Sequence, residues 1–141
     1  MSTEPKTVLL VEDSADDALL IQHAFDKGQL PNPLRIVKDG EDAMAYLAGQ
    51  GAFTDREQYP LPGLVILDLK LPRKSGFDVL AWLRQQPGLE RLPVIVLTNH
   101  KEIPDINDAY DLGANFYMVK SVAFTALQDM VQTIARILTS T

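Results

Sequence analysis

Leu64-Val65-Ile66-Leu67-Asp68-Leu69-Lys70-Leu71-Pro72 is the stretch on which the fold turns. Its opening run is apolar without alternation, the mark of a strand buried on both faces, as in a parallel sheet covered by helices. The same form recurs at Val8-Leu9-Leu10-Val11 and Val94-Ile95-Val96-Leu97, and more weakly at Asn115-Phe116-Tyr117-Met118-Val119. Leu34-Arg35-Ile36-Val37 is half polar and suits an edge. Helical patterns fill the intervals. The first follows Ser14, with Ser14 and Asp16 as caps and Gly28 as a stop. The second spans about residues 41–48, the third 77–86 ahead of Pro87, and the fourth opens near Pro104 and closes at Gly113. The last covers 123–138, with Ala123, Leu127, Met130, Val131, Ile134 and Leu138 on one stripe. Five strand-helix units in succession predict an α/β fold, a parallel sheet with right-handed crossovers and helices on both faces.

The chain has 141 residues, the size of a single domain, and no linker to a second one is visible. Its net charge of −6 lacks the basic stripe of a nucleic-acid binder. The absence of cysteine excludes a disulfide framework, a thiolate metal site and a thiol nucleophile. Met1 to Thr7 is polar, and the apolar run after it is too short for a signal peptide or a membrane span, so no membrane association and a cytoplasmic location are expected. Residues 50–63, with Gly51, Pro60, Pro62 and Gly63, make an unusually long connection before the third strand, of the kind that tends to be functional or mobile.

Ligands of open α/β sheets bind beyond the carboxyl ends of the strands. There the first strand delivers Glu12 and Asp13, the third Asp68, the fourth Thr98 and the fifth Lys120. Singly, each has an ordinary explanation as a cap, an Asx-turn, a sheet residue or a solvated amine. Together, three crowded carboxylates repel one another unless a cation joins them, and a hard divalent ion such as Mg²⁺ meets that need. A carboxylate beside such an ion can be a nucleophile towards phosphorus, with Lys120 neutralising the phosphoryl oxygens and Thr98 donating a hydrogen bond to them.

At Val11-Glu12-Asp13, Leu67-Asp68-Leu69-Lys70-Leu71-Pro72 with Gly76, Val96-Leu97-Thr98 and Val119-Lys120, the sequence resembles the receiver domain of two-component response regulators, over about residues 6–138. The resemblance implies a flavodoxin-like (βα)5 fold, strand order 2-1-3-4-5, forming a single receiver domain over 1–141 without an effector domain. It implies Asp68 as phosphoacceptor; Glu12, Asp13, Asp68 and the backbone carbonyl of Lys70 as ligands of Mg²⁺, with Mn²⁺ as a substitute; and Thr98 and Tyr117 as paired switch positions. The Glu-Asp-Ser-x-x-Asp opening, Leu20-Ile21-Gln22, the 50–63 insertion and Ser121 after Lys120 are similar to the small regulators of bacterial and cyanobacterial phytochromes. That branch implies a phytochrome histidine kinase as phosphodonor. Two residues depart from the common receiver pattern. Ser121 replaces the usual proline, which favours a trans bond and a different loop, and Asn99 is bulkier than the small residue often found after the threonine.

Three rival readings have sequence tests. A haloacid-dehalogenase-type phosphohydrolase needs a second Asp where Lys70 stands, so no substrate turnover is expected. A flavodoxin-like carrier needs a phosphate-cradling loop where the acidic Glu12 to Asp17 segment lies. A scaffold that binds partners constitutively has no use for the full set of Asp13, Asp68, Thr98 and Lys120. Output is therefore expected through contacts with a downstream protein at the fourth helix, fifth strand and last helix. Phe124 and Ile137 fall off the last stripe, which suggests exposed apolar area and a homodimer, with completion of a buried core from the other side as the alternative.

Overall fold

Strands β1 (Val8–Val11), β2 (Leu34–Val37), β3 (Leu64–Leu67), β4 (Val94–Thr98) and β5 (Phe116–Val119) pair in parallel in the order β2-β1-β3-β4-β5. This is the expected flavodoxin-like sheet, with the half-polar β2 at one edge. The computed structural model describes residues 5–139; Met1 to Glu4 of the polar N-terminal segment, Ser140 and Thr141 lie outside the described residues. Helices α1 (Ala15–Lys27), α2 (Gly40–Ala48), α3 (Gly76–Leu83), α4 (Ile103–Asp111), α5 (Lys120–Ala123) and α6 (Leu127–Thr139) follow the strands.

The continuous apolar runs serve two cores at once, because successive strand side chains point to opposite faces. Leu9, Val11, Val65, Leu67, Val94 and Val96 pack with α2 and α3 residues such as Tyr46, Val79 and Leu83. Val8, Leu10, Leu64, Ile66, Ile95 and Leu97 pack with Ile21, Phe25, Met130 and Ile134 of α1 and α6. The register sets Val11 beside Leu67 and Leu67 beside Val96, while Thr98 lies beside Val119. Residues following the central strands therefore emerge along one edge.

Helix starts obey local capping. Ser14 Oγ accepts from Asp17 N at 3.2 Å, Asp39 Oδ1 accepts from Asp42 N at 2.8 Å, and Ser75 and Asp78 form a reciprocal capping box. Two helices differ from the sequence expectation. Helix α3 stops at Leu83 rather than Gln86, because the final turn tightens through Gln85 N to Trp82 O and Gln86 N to Leu83 O ahead of Pro87. The last helix does not run unbroken over 123–138. Thr125 Oγ1 donates to Val122 O at 2.7 Å and the backbone closes i to i−3 turns there, dividing it into α5 and α6. The peptide between Lys120 and Ser121 is trans.

That division corrects the expectation for Phe124 and Ile137. Both are half-buried and pack against the α1–α6 core, so the exposed apolar area assigned to them is not there. Exposed large apolar side chains lie elsewhere, notably Leu19 and Leu20 on α1, Ile103 and Tyr110 on α4, Phe116 on β5, and Val122.

The long 50–63 connection is a packed strap. It opens with a short turn of 3₁₀ helix, Gly51–Phe53, and Phe53, Tyr59 and Tyr46 form a cluster with ring centroids 5.1–5.9 Å apart. Arg56 donates to the carbonyls of Tyr46 and Leu47 at 2.8 and 2.9 Å, capping the C-terminal end of α2, and to Tyr59 O at 3.1 Å. Tyr46 Oη donates to Pro60 O at 2.9 Å. No described helix is long and apolar enough to cross a membrane.

Candidate functional site

At the carboxyl edge of the sheet, the loops after β1, β3, β4 and β5 enclose a cleft of about 530 Å³ lined by Glu12, Asp13, Asp17, Asp68, Thr98 and Lys120, among others. Each strand-end residue singled out in the sequence thus borders one space. Glu12, Asp68, Thr98 and Lys120 are buried, whereas Asp13 is exposed at the mouth.

Lys120 is the electrostatic centre. Its Nζ donates to Glu12 Oε1 at 2.8 Å, Asp17 Oδ2 at 2.7 Å and Asp68 Oδ2 at 2.9 Å, so all three ammonium hydrogens have carboxylate partners. Burial alone would lower its pKa, but the hydrogen bonds to Asp17, Glu12 and Asp68 outweigh that effect and hold it above the ordinary lysine value. Burial pushes Glu12 up to about 7; the hydrogen bond from Lys120 opposes the rise and the charge of Asp68 adds to it. Glu12 Oε2 also accepts from Ser14 N at 3.2 Å.

Asp68 sits where β3 ends and the backbone turns sharply. Its Oδ1 accepts from Lys70 N at 3.2 Å, and Gly76 N donates to Leu69 O at 2.9 Å. A Cβ on Gly76 would fall 2.2 Å from the Asp68 carbonyl oxygen and 2.7 Å from Leu69 Cα. Only glycine fits this approach of α3 to the loop that carries Asp68.

Carboxylate oxygens of Glu12, Asp13 and Asp68 lie within 4.8 Å of one another. An all-oxygen, anionic donor set at an open mouth fits a hard divalent cation that keeps part of its water shell. The backbone carbonyl of Lys70 belongs to the same loop. A second group of close donors, His100, Glu102 and Asp105, borders the cleft at the start of α4, where Asp105 Oδ2 lies 3.2 Å from His100 Nδ1.

On the far side of the cleft, Thr98 and Tyr117 meet at one loop. Thr98 Oγ1 accepts from His100 N at 3.4 Å, and Tyr117 Oη donates to His100 O at 2.7 Å. The half-buried Tyr117 ring lies 6.5 Å from that of Tyr110. Burial, with the charges of Asp105, Glu102 and Asp68, pushes its phenol up to about 12.

Two participants escaped the sequence reading. Asp17 was visible within Glu-Asp-Ser-x-x-Asp, yet nothing there aimed it at Lys120; the Ser14 cap, which fixes the first turn of α1 beside the strand ends, was the available signal. His100 contributes backbone atoms to the Thr98–Tyr117 linkage, and backbone contacts leave no trace in residue type.

Residues 8–132 match the model of the response regulator receiver domain family. Among curated proteins, response regulator Rcp1 of Synechocystis sp. is 43% identical over 131 residues, covering 93% of this chain and 87% of that protein. Among solved structures, the phosphorylated cyanobacterial phytochrome response regulator RcpA aligns with a TM-score of 0.84 at 38% identity, over 95% of this chain and 94% of that one. The Mn²⁺-bound form of Rcp1 aligns with a TM-score of 0.84 at 41% identity, over 97% of each chain.

Proposed function

The chain belongs to the response regulator receiver domain family, and on that premise we propose that it accepts a phosphoryl group on Asp68 from a sensor histidine kinase and passes the signal on through protein contacts. The observation that carries this reading is the convergence of Lys120 Nζ on the buried Asp68 carboxylate at 2.9 Å, where Asp68 joins Glu12 and Asp13 in a group of carboxylates able to hold a cation. In the transfer, an Asp68 carboxylate oxygen attacks the phosphorus of a kinase phosphohistidine. The P–N bond breaks, its electron pair returns to the imidazole nitrogen, and an acyl phosphate forms.

Glu12, Asp13, Asp68 and the carbonyl of Lys70 are the residues that would hold Mg²⁺, or Mn²⁺ in its place. When bound, the ion supplies positive charge to the transferring phosphoryl oxygens. Lys120 turns an N–H from Asp68 to a phosphoryl oxygen, and Lys70 N steadies the other Asp68 oxygen. Lys70 also occupies the position where a phosphohydrolase would carry its acid-base Asp, which supports a stored phosphate over turnover of a substrate.

The output depends on the Thr98 hydroxyl. Donating to a phosphoryl oxygen draws Thr98 away from His100 N, and the same residue's carbonyl holds Tyr117 Oη. Displacement of the 98–100 segment is thereby transmitted to Tyr117, Tyr110 and the exposed side of α4 and β5. Tyr110 and Phe116 there offer apolar area to a downstream protein or to a second copy of the chain, so the homodimer is better sought on this face than at Phe124 and Ile137. Similarity to RcpA, a cyanobacterial phytochrome response regulator, supports a phytochrome as the kinase, and a cytoplasmic location accords with that donor.

Transfer from a labelled phytochrome kinase tests the reading. Wild-type protein with Mg²⁺ takes up the label, whereas Asp68→Asn protein, or wild type with EDTA, does not. Equal labelling of the Asp68→Asn protein would overturn it.

A further inference from the structure

Asp17 makes the shortest of the three ion pairs to Lys120, at 2.7 Å, yet lies outside the group of carboxylates whose oxygens approach within 4.8 Å of one another. The other two partners of Lys120 both have competing duties. Asp68 loses its free carboxylate on phosphorylation, and Glu12 belongs to the cation cluster. When both are engaged, Asp17 is the carboxylate left to fix the ammonium. Its own placement is firm, because its backbone N–H is bound by Ser14 Oγ in the first turn of α1. The first turn of a capped helix is also where a negative side chain is stabilised.

We propose that Asp17 is a positioning residue that tethers Lys120 in the geometry required to stabilise the transferring phosphoryl group. The proposal rests on the Asp68 phosphoacceptor reading and adds to it the residue that orients the amine. A bare lysine ammonium on a flexible four-carbon stem has many rotamers. An anchoring carboxylate removes most of them, as an outer partner fixes a ligand around a metal. Removing Asp17 also deletes a negative charge beside an anionic donor, an electrostatic change that by itself would favour phosphorylation. The two effects have opposite signs, so the rate decides between them.

The test uses the full chain with Mg²⁺ and acetyl phosphate. An Asp68 oxygen attacks phosphorus, the P–O bond to the acetyl carboxylate breaks, and acetate leaves with the electron pair. Asp17→Ala is expected to slow this step about tenfold, at the low end of the effect of outer-shell partners. Asp17→Asn preserves size and folding, keeps an acceptor without charge, and should fall between Ala and wild type. Mn²⁺ affinity, measured by calorimetry, should change far less than the rate. Introduced into a Lys120→Met background, Asp17→Ala should add no further loss, since residues that act through one another are non-additive. A rate for Asp17→Ala equal to or above wild type would overturn the proposal, as would a full additional loss in the Lys120→Met background. If wild type itself takes up no phosphoryl group while the protein is folded, the phosphoacceptor reading fails, and the tether with it.

Discussion

Lys120 gathers Glu12, Asp17 and Asp68 around one buried ammonium, an arrangement that is stable only as a set. Removing one member of a buried ion cluster leaves uncompensated charge, typically at about 3–5 kcal/mol. In the absence of divalent ions at neutral pH, Lys120→Met should be destabilised by about 3 kcal/mol in urea unfolding. Lowering the pH protonates the abandoned carboxylates, and adding Mg²⁺ draws charge away from them, so either change should recover part of the loss. Indifference of the variant to both would show that the cluster does not depend on Lys120. Tyr117 provides a second residue-level test. Its phenol ionises near 10 when unfolded and is pushed to about 12 when folded, so the folded state binds more protons throughout that window. Its contribution to stability is complete below pH 10 and is lost as pH rises towards 12. Tyr117→Phe should therefore show a shallower alkaline loss of stability than wild type and one late-titrating phenolate fewer by absorbance.

At the scale of elements, the 50–63 strap is joined to α2 through Arg56, whose guanidinium reaches two terminal carbonyls of that helix. Arg56→Ala leaves those carbonyls and Tyr59 O without their donor and frees the aromatic cluster to open. A loss of about 1–3 kcal/mol in denaturant unfolding is expected, with proteolysis directed to residues 50–63. Unchanged stability and an uncut strap would mean that Tyr46, Phe53 and Tyr59 suffice. The strap also marks a limit of the sequence. Gly and Pro spacing disclosed a long connection, but its packing depends on Arg56 and Tyr59 meeting a helix end about ten residues away. The strands were plain because burial on both faces leaves unbroken apolar runs. The break between α5 and α6 was hidden, since a stripe drawn over 123–138 presumes one straight helix while Thr125 competes for its backbone.

Across the whole molecule, the parallel register converts sequence order into site geometry: the residues after β1, β3, β4 and β5 must emerge at one edge. That made Asp13, Asp68, Thr98 and Lys120 legible together, although no single one was informative. Asp17 and His100 required the orientation of α1 and the path of a loop, which only the folded chain supplies. The same edge is linked to the α4–β5 face through Thr98, His100 and Tyr117, and under the proposed function one covalent event at Asp68 would alter that surface. The proposed tether, switch and output face all depend on which atom receives the phosphoryl group. Borohydride reduction of the phosphorylated protein, followed by peptide mass spectrometry, converts an aspartyl phosphate to homoserine and locates it directly. Homoserine is expected at position 68 alone; reduction at another aspartate, with Asp68 recovered intact, would contradict its role as phosphoacceptor.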